Sequence, residues 1–318
     1  MDVLIIGVSS VFIRRVLPGL LALPGVGKIH LATRRSSIAL DIPREKLGTI
    51  YHCYDLALQQ TNPCLAYISL PNSLHFEWAK IALQRGFHVV VDKPACIELR
   101  EAEEIVRLAR SKRLCVAEAT VWPYHPQVSA ASEIFASTEG PRTIHAVFSF
   151  PPLNVDNFRN KKSMGGGCLL DLGPYAASVG RIFFGEVPTS LFSWVLSKSD
   201  ELGIDTGFAV TALYSRGRIF QGYFSFDGEY KNSLELMGPR STLRLEPAFT
   251  SSGNATHLHF RSNSQAQIVP LAIGDPFLIF FDKVIRSLRS GEFDGWADIL
   301  IQDARMRDLI NEGIVGNV

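Results

Sequence analysis

Strand-like and helix-like segments alternate through the first part of this sequence, and that alternation restricts the folds open to it. The predicted strands cover residues 3–7, 28–33, 66–70, 87–91 and 114–117, and the predicted helices cover residues 13–23, 75–85 and 100–111. Repeated β-α-β units form a parallel sheet with helices on both faces, because parallel strands need a long crossover. The first ~120 residues therefore predict a doubly wound parallel sheet.

Longer strand-like stretches follow, and turn residues such as Asp227-Gly228 and Arg216-Gly217 separate several of them. They predict an open, largely antiparallel sheet, and two helices over residues 276–290 and 298–312 close the chain. A chain of 318 residues can hold two domains of ~100–200 residues each. We therefore predict an α/β protein with domains at residues 1–121 and 122–318.

Charge and cysteine usage exclude several classes of protein. The chain carries 32 basic and 31 acidic residues, a formal net charge of +1, so no overall field favours nucleic acid or an anionic membrane. The five cysteines are odd in number and include no C-x-x-C pair, which argues against a disulfide framework and a zinc site. No apolar run approaches the ~20 residues of a membrane span. We predict a cytoplasmic protein with no metal, nucleic-acid or membrane partner.

The turn after the first predicted strand has the position of a Rossmann phosphate loop. The strand ends at Gly7, and Ser9, Ser10 and Val11 precede a helix whose backbone N–H groups could approach a pyrophosphate. Only the first glycine of the G-x-G-x-x-G pattern is present, because Ser9 fills the second position and Phe12 stands where a small residue is usual. A generic strand–helix turn is the alternative interpretation.

The end of the second predicted strand bears on the choice of cofactor. An NAD site usually places an acidic residue there to accept a hydrogen bond from the ribose 2′-hydroxyl, and this chain has none. It has Thr33, Arg34, Arg35 and Ser36 instead, which supply positive charge and forked donors for a 2′-phosphate. We expect Arg34 to bind the phosphate and Arg35 to stack on adenine, so the pattern indicates NADP(H). A solvated basic turn is the alternative.

Two further strand ends bring polar residues to the same edge of the predicted sheet. One leads from Leu70 into a helix through Asn72 and His75, which could contact a cofactor but could equally cap or pack the helix. The other ends in Asp92 and Lys93 before a proline that restricts the direction of the lysine. A lysine at such an edge can stabilise negative charge on a substrate oxygen, although many strand-end lysines are simply solvated.

A glycine-rich segment in the second half precedes a predicted helix. Three glycines at residues 165–167 allow close backbone approach, either to a ligand or to neighbouring protein. Asp171 and Tyr175 then lie four residues apart, so both side chains project from one helical face. A carboxylate and a phenol on one face suit substrate binding and proton transfer, whereas a glycine loop before a buried helix is the simpler structural interpretation.

In this order and spacing, these residues resemble the Gfo/Idh/MocA family of oxidoreductases. The resemblance covers nearly the whole chain and rests on residues 71–75, 86–94, 124–127, 165–175 and 238–246. It implies an N-terminal Rossmann domain and a C-terminal α/β domain whose open sheet forms the substrate wall. The same sheet is often a dimer or tetramer interface in the family, so we expect a homodimer or homotetramer.

The resemblance also implies roles for particular residues. The family lysine corresponds to Lys93, and the family's Asp-x-Gly-x-His corresponds to Asp171, Gly173 and Tyr175. Tyrosine in place of histidine is similar to the glucose–fructose oxidoreductase, dihydrodiol dehydrogenase and sugar-nucleotide 3-ketoreductase branches. The chain departs from the family pattern at Asp92, where glutamate is usual, and at Trp122, where arginine is frequent.

The function expected from the sequence is hydride transfer between NADP(H) and a carbonyl or carbinol of a sugar or sugar nucleotide. Tyr175 would exchange the proton on the oxygen, assisted by Lys93, because a nearby ammonium favours the phenolate form of a phenol. The substrate hydroxyls are expected to contact Asn157, Arg159 and Asp171, with His125 as a weaker candidate. Lys93 and Tyr175 are expected to bind the reacting oxygen of the substrate. The alternative is a non-catalytic regulatory protein that senses NADP(H) on the same fold.

Overall fold

The structure is a computed structural model that describes residues 1–36, 38, 40–136, 139–251, 257–263 and 265–313. The described chain divides into two compact units. The first comprises Met1–Thr120 and Phe277–Gln302, and the second comprises Val121–Pro276 and the residues from Asp303 onward.

The first unit is built on a parallel sheet. Among the described residues its six strands are β1 (Val3–Ile6), β2 (Ile29–Ala32), β3 (Leu47–Tyr51), β4 (Leu65–Ile68), β5 (His88–Val91) and β6 (Val116–Glu118), in the order β3-β2-β1-β4-β5-β6. Every neighbouring pair is parallel. The residues of β1 and β4 are all buried, which is why these strands are continuous apolar runs without a polar face.

Helices connect the strands of this sheet. The first helix spans residues 10–22, with a π-helical turn at Phe12–Val16 followed by α1 (Leu17–Ala22). The others are α2 (Tyr54–Gln60), α3 (His75–Gln84) and α4 (Leu99–Lys112). A capping box formed by Glu98 and Glu101 begins α4, so its first N–H groups have side-chain acceptors. The prediction of a doubly wound Rossmann sheet is confirmed.

The second unit contains a mixed sheet. Its eight described strands follow the order β14-β13-β12-β11-β7-β10-β9-β8, and only β7 and β10 pair in parallel. The strands are β7 (Thr143–Ser149), β8 (Ser190–Ser199), β9 (Ile204–Tyr214), β10 (Arg218–Ser225), β11 (Lys231–Met237), β12 (Ser241–Leu245), β13 (His257–Ser262) and β14 (Gln265–Pro270). The predicted largely antiparallel sheet is therefore confirmed.

Two helices accompany this sheet, α5 (Pro126–Ala136) and α6 (Cys168–Phe183). The latter packs against β9 and β10. Alternate residues of those strands are buried, among them Phe208, Phe220 and Phe224, and they form the core of the unit with α6. No helix in the described ranges is long and apolar enough to cross a membrane.

The C-terminal helices divide between the two units, unlike the sequence-based assignment of residues 122–318 to one domain. They are α7 (Pro276–Ser290) and α8 (Asp294–Glu312), and Phe277–Gln302 belongs to the first unit. The physical reason is apolar packing, since the Phe281 ring meets Tyr67 of β4 edge-on at 5.5 Å between centroids. An ion pair between Arg110 of α4 and Asp298 of α8 adds a polar contact.

Four elements were not predicted from the sequence: β3, α2, α5 and β14. The edge strands β3 and β14 lack the apolar signal of a buried strand, because β3 is mostly exposed or half-buried and nearly all of β14 is exposed. The helix α2 has only seven residues, too few for a clear helical period. These elements complete the edges and connections without changing the class of fold.

The five cysteines differ in burial, so their reactivity provides a test of the fold. Cys53 is exposed, while Cys96, Cys115 and Cys168 are buried. Burial, reinforced by Asp294, raises the pKa of the Cys115 thiol to about 12, and the half-buried Cys64 is raised to about 12 mainly by burial as well. Only the thiolate is a good nucleophile.

We therefore expect iodoacetamide at about pH 8 to alkylate Cys53 at least ~10-fold faster than any other cysteine of the folded protein. Peptide mass spectrometry measures the rates. Cys53→Ser should remove the fast phase, and guanidinium should make all five thiols reactive. Rapid labelling of Cys115 without denaturant would contradict the fold.

Candidate functional site

The loop after β1 lies against the end of β4 so closely that only glycine fits at its first position. Gly7 has φ +89°, and a Cβ there would collide with the Ser69 carbonyl oxygen. The helix begins at Ser10, which is exposed, and Val11 is half-buried in the same first turn. The first N–H groups of a helix have no intrahelical acceptors, so this turn offers donors at the carboxyl edge of the sheet.

Ser9, which fills the usual second glycine position, is turned into the protein. Its Oγ accepts a hydrogen bond from the backbone N–H of Phe12 at 3.0 Å and lies 2.7 Å from Ser69 Oγ. It therefore caps the helix that follows. Phe12 is fully buried, so its ring is in the core. Both departures from the glycine fingerprint are accommodated inside the protein.

The end of β2 presents two exposed guanidinium groups. Thr33 is buried and its Oγ1 accepts a hydrogen bond from the Arg35 N–H at 3.1 Å, which turns the chain sharply there. Arg34 and Arg35 are both exposed. The guanidinium of Arg34 lies over the Tyr54 ring, 5.1 Å from its centroid, a cation–π contact that orients it. The turn is thus structured by its threonine and leaves both charges at the surface.

The carboxylate of Asp92 is held at the same edge by two hydroxyl groups. Ser69 Oγ donates to Asp92 Oδ2 at 2.6 Å, and the Tyr67 hydroxyl donates to Oδ1. Burial and then the Asp92 charge raise the pKa of Tyr67 well above its usual value, so the phenol keeps the proton it donates. Ser69 therefore connects the loop that carries Ser9 to the loop that carries Asp92 and Lys93.

The predicted residues of the β4 loop are mostly buried. Asn72 is 4% exposed and His75 is 1% exposed. Both ring nitrogens of His75 lie 2.7 Å from backbone oxygens, Nδ1 from Pro94 O and Nε2 from Leu70 O. This contact pattern is that of a packing residue, one of the two alternatives for His75 that the sequence left open. Lys93 itself is half-buried.

Glu118, the last residue of β6, is a further polar residue at this edge, and no sequence motif predicts it. It is 7% exposed, and its carboxylate accepts hydrogen bonds from the Ala95 N–H at 2.8 Å and from the Thr120 hydroxyl at 2.5 Å. The available signal was its place, because an acidic residue that ends a buried parallel strand lies at the edge where ligands bind.

In the second unit, the three glycines bring a loop against the start of α6. A Cβ on Gly166 would collide with the Arg159 backbone carbonyl, and the Gly167 N–H donates to that carbonyl at 2.9 Å. The glycines therefore allow approach by protein backbone. Arg159 Nε then pairs with Asp171 Oδ2 at 2.8 Å, and Asn157 Oδ1 accepts from the Arg159 N–H at 3.1 Å. These three predicted substrate residues belong to one cluster.

The N-terminus of α6 is capped by Asp205, which no sequence motif predicts either. Its Oδ2 accepts a hydrogen bond from the Leu169 N–H at 2.6 Å. Burial raises the pKa of this carboxyl, and backbone hydrogen bonds from the helix oppose the rise. An acidic side chain is favourable at a helix N-terminus. Since Asp205 lies 36 residues from Leu169 in sequence, no local pattern reveals the cap.

Tyr175 of α6 packs against aromatic rings from other parts of the second unit. Its ring centroid is 5.4 Å from that of Phe148 and 5.1 Å from that of Phe249. Trp122, which stands where the family often has arginine, is 1% exposed and donates from Nε1 to Ser178 Oγ at 3.0 Å. This position is thus part of the core. The Tyr175 ring is half-buried.

His125 is buried, and its Nδ1 accepts a hydrogen bond from the Gln127 N–H at 3.2 Å. Within the described part of the chain, no group of three or more His, Cys, Asp or Glu side chains is arranged to hold a metal ion.

The edge of the parallel sheet has features that fit a dinucleotide. They are a loop in which only glycine fits at the first position, a helix N-terminus with N–H donors, and two exposed guanidinium groups.

Known proteins match the chain in both units. Residues 1–120 match the oxidoreductase family with an NAD-binding Rossmann fold, and residues 140–244 match the GFO/IDH/MocA C-terminal domain. The dTDP-3,4-didehydro-2,6-dideoxy-alpha-D-glucose 3-reductase of Actinomadura kijaniata is 26% identical over 317 residues, which cover 97% of this chain and 94% of that protein. D-xylose 1-dehydrogenase (NADP(+)) 2 of Haloferax volcanii is 27% identical over 249 residues, 77% of this chain and 75% of that protein.

A solved structure is similar over the whole fold. KijD10, a 3-ketoreductase from Actinomadura kijaniata in complex with NADP and TDP-benzene, has a TM-score of 0.91 at 25% identity and covers 99% of this chain and 98% of its own. The two family models together span most of both described units. The chain belongs to the Gfo/Idh/MocA family of NAD(P)-binding oxidoreductases.

Proposed function

We propose that the protein is an NADP(H)-dependent oxidoreductase that transfers a hydride between nicotinamide and a carbonyl or carbinol carbon of a sugar or sugar nucleotide. The proposal rests on two residues that occur together in a fold similar to that of a known reductase. The chain keeps Lys93 at the carboxyl edge of the cofactor sheet and Tyr175 one turn after Asp171 on α6. It does so in a fold similar to a 3-ketoreductase over 99% of its length.

The preference for NADP(H) is supported by the end of β2. Arg34 and Arg35 are exposed there, and residues 33–36, which follow the strand directly, include no acidic residue. The turn therefore suits a 2′-phosphate better than a bare ribose hydroxyl. The cofactor-binding residues that we propose are Gly7, Ser9, Ser10, Val11, Thr33, Arg34, Arg35, Leu70, Asn72, His75, Asp92 and Lys93. Of these, His75 and Ser9 would act through the backbone that they hold, and Asp92 through the hydroxyl groups of Ser69 and Tyr67.

The chemistry of this chain's own residues is proton transfer and charge stabilisation. Bound nicotinamide would supply the hydride for reduction of a ketone or accept it from a carbinol. As the carbonyl oxygen gains negative charge, the Lys93 ammonium would stabilise it and the Tyr175 hydroxyl would donate the proton. In the oxidative direction Tyr175 would start as the phenolate, and its oxygen would take the proton from the carbinol.

The substrate contacts are proposed to lie in the cluster of Asn157, Arg159 and Asp171. The Arg159–Asp171 ion pair offers both a donor and an acceptor to sugar hydroxyls. A relative that is a dTDP-sugar 3-reductase and a similar structure in complex with TDP-benzene support a sugar nucleotide. On this proposal the first unit binds the dinucleotide, and the second unit binds substrate and mediates oligomerisation.

The function is tested by replacing the two proposed catalytic residues. We expect Lys93→Met and Tyr175→Phe each to lower turnover at least ~100-fold while NADPH binding is retained, because each removes one group that acts on the reacting oxygen. The measurement is the loss of NADPH absorbance with a panel of keto-sugars and nucleotide keto-sugars, beside a fluorescence titration of NADPH.

Lys80→Met and Tyr230→Phe are the controls, since Lys80 pairs with Glu104 at the surface and Tyr230 is exposed. Wild-type turnover in either Lys93→Met or Tyr175→Phe would contradict the catalytic assignment. NADPH binding without oxidation by any compound of the panel would favour the regulatory alternative.

The cofactor preference is tested by Arg34→Asp. A carboxylate there would accept a hydrogen bond from a ribose hydroxyl and repel a 2′-phosphate, so the ratio of NADPH to NADH affinity should fall by at least ~10-fold. Dissociation constants for both cofactors measure this ratio. Arg100→Asp is the control, because Arg100 is exposed on α4. An unchanged ratio in Arg34→Asp would remove the argument for NADP(H) and leave the fold untouched.

A homodimer or homotetramer through the second sheet is the proposed assembly. Phe192, Leu213 and Tyr223 share one face of β8, β9 and β10 by register and are 45%, 39% and 39% exposed. We expect the wild-type mass by light scattering to be a multiple of 35.2 kDa, and Phe192→Asp with Tyr223→Asp to give the monomer. Ile273→Asp, at an 85% exposed position, should leave the mass unchanged. A wild-type monomer would contradict the assembly.

A further inference from the structure

The backbone that follows Lys93 enters the interior of the first unit without forming a helix or a strand. Ala95 and Cys96 are both 0% exposed, and residues 92–98 have no regular secondary structure. Buried peptide groups need hydrogen-bond partners, and outside helices and strands those partners are often side chains. Two buried side chains, His75 and Glu118, supply partners to the peptide groups directly after the lysine.

His75 holds the carbonyl side of this segment. Its Nδ1 lies 2.7 Å from Pro94 O, while Nε2 lies 2.7 Å from Leu70 O on the loop after β4. A neutral imidazole can donate one of these hydrogen bonds and an imidazolium can donate both. Because His75 begins α3, it ties the Lys93 loop to a helix and to a neighbouring strand end.

Glu118 holds the amide side of the same segment. Its Oε2 accepts from the Ala95 N–H at 2.8 Å, and its other oxygen accepts from the Thr120 hydroxyl. A carboxylate that is 7% exposed is tolerated only when such donors compensate for lost hydration. A hydrogen bond with an ionised acceptor is about twice as strong as a neutral one, so this contact fixes Ala95 firmly.

We propose that His75 and Glu118 are positioning residues that hold the backbone after Lys93 and thereby fix the direction of its ammonium group. The inference rests on the proposed function and deepens it at the same site. The ammonium group of a lysine ends a flexible four-carbon chain, so the position of the ammonium depends on the backbone that carries this chain. A misplacement of ~1 Å can cost ~100-fold in rate. Both residues therefore act through Lys93 and touch no reacting atom.

The role of Glu118 is tested with a graded pair of variants. Glu118→Ala removes both acceptors and should lower kcat about 10- to 100-fold with an unchanged NADPH dissociation constant. Glu118→Gln keeps an acceptor for the Ala95 N–H and should restore most of kcat. The assay is steady-state reduction of the compound that the keto-sugar panel identifies, with the thermal midpoint measured for each variant.

A matched control is Glu101→Ala, also in the first unit. The Glu101 carboxylate likewise accepts from two backbone N–H groups, those of Ile97 and Glu98 at 2.9 and 3.3 Å. These groups lie four and five residues beyond Lys93, at the end of the segment where α4 starts. Loss of the Glu101 carboxylate should lower the thermal midpoint and leave kcat unchanged. Equal kcat in Glu118→Ala, Glu101→Ala and wild type would overturn the role of Glu118.

The role of His75 is tested by the two amides that imitate its two nitrogens. His75→Asn places its amide nitrogen near the position of Nδ1 and should retain the bond to Pro94 O and most of kcat. His75→Gln reaches the position of Nε2, retains the bond to Leu70 O, and should lower kcat about 10-fold or more. A higher kcat in His75→Gln than in His75→Asn would overturn the positioning role of His75. Should Glu118→Ala fail to fold, these two His75 variants still test whether the backbone after Lys93 is held in place.

Two measurements separate this inference from the proposed function. Glu118→Ala added to Lys93→Met should cost no further turnover, because residues that act through one group are not additive. A further loss as large as that in the wild-type background would overturn the positioning role. Wild-type turnover in Lys93→Met would instead overturn the proposed function.

The second measurement needs no substrate. Hydrogen exchange of the peptide over residues 92–98 should rise at least ~10-fold in Glu118→Ala with NADPH absent. Unchanged exchange would show that the Glu118 hydrogen bond does not hold the segment, whatever the enzyme does.

Discussion

Parallel pairing of β1, β4, β5 and β6 is the constraint on which the rest of the first unit depends. Parallel strands point their carboxyl ends to one edge, so the loops after residues 6, 68, 91 and 118 meet there. Strands buried on both faces leave little room for polar side chains within the sheet. The polar residues are therefore concentrated at that edge, where open parallel sheets generally bind their ligands.

The concentration of polar groups brings a second constraint, because each buried one needs a partner. At this edge the partners are found between loops that are distant in sequence. Ser9 meets Ser69, Ser69 and Tyr67 hold Asp92, and Glu118 holds the segment after Lys93. The loops are thus connected by side chains as well as by the sheet. This connection explains how a serine can stand in the glycine fingerprint.

In the second unit, side chains from distant segments likewise provide partners for the polar groups at the start of α6. The helix begins directly after glycines that a backbone carbonyl approaches, and the carboxylate of Asp205 caps it from β9. Arg159 pairs with Asp171 in the first turn of the helix, and the next turn presents Tyr175 against two phenylalanine rings. The helix is thus oriented by electrostatic contacts at its start and by aromatic packing further along, so the tyrosine has a defined setting within its unit.

The sequence by itself determined the alternation of strands and helices, the parallel first sheet, the largely antiparallel second sheet and the family. These features follow from periodic burial and from short motifs, which are local properties of the chain. The two edge strands β3 and β14 and the short helix α2 escaped detection because their residues carry little burial signal. The attachment of α7 to the first unit also escaped, since it depends on packing such as that of Phe281 on Tyr67.

Only the tertiary structure decided which polar residues face inward and what they hold. From the sequence, His75 could contact a cofactor or pack a helix, and the folded chain puts both of its nitrogens on backbone carbonyls. Glu118 and Asp205 belong to no sequence motif, because the backbone N–H groups from which they accept lie 23 and 36 residues away. A hydrogen bond between distant segments depends on the geometry of packed elements, and no spacing along the chain encodes it.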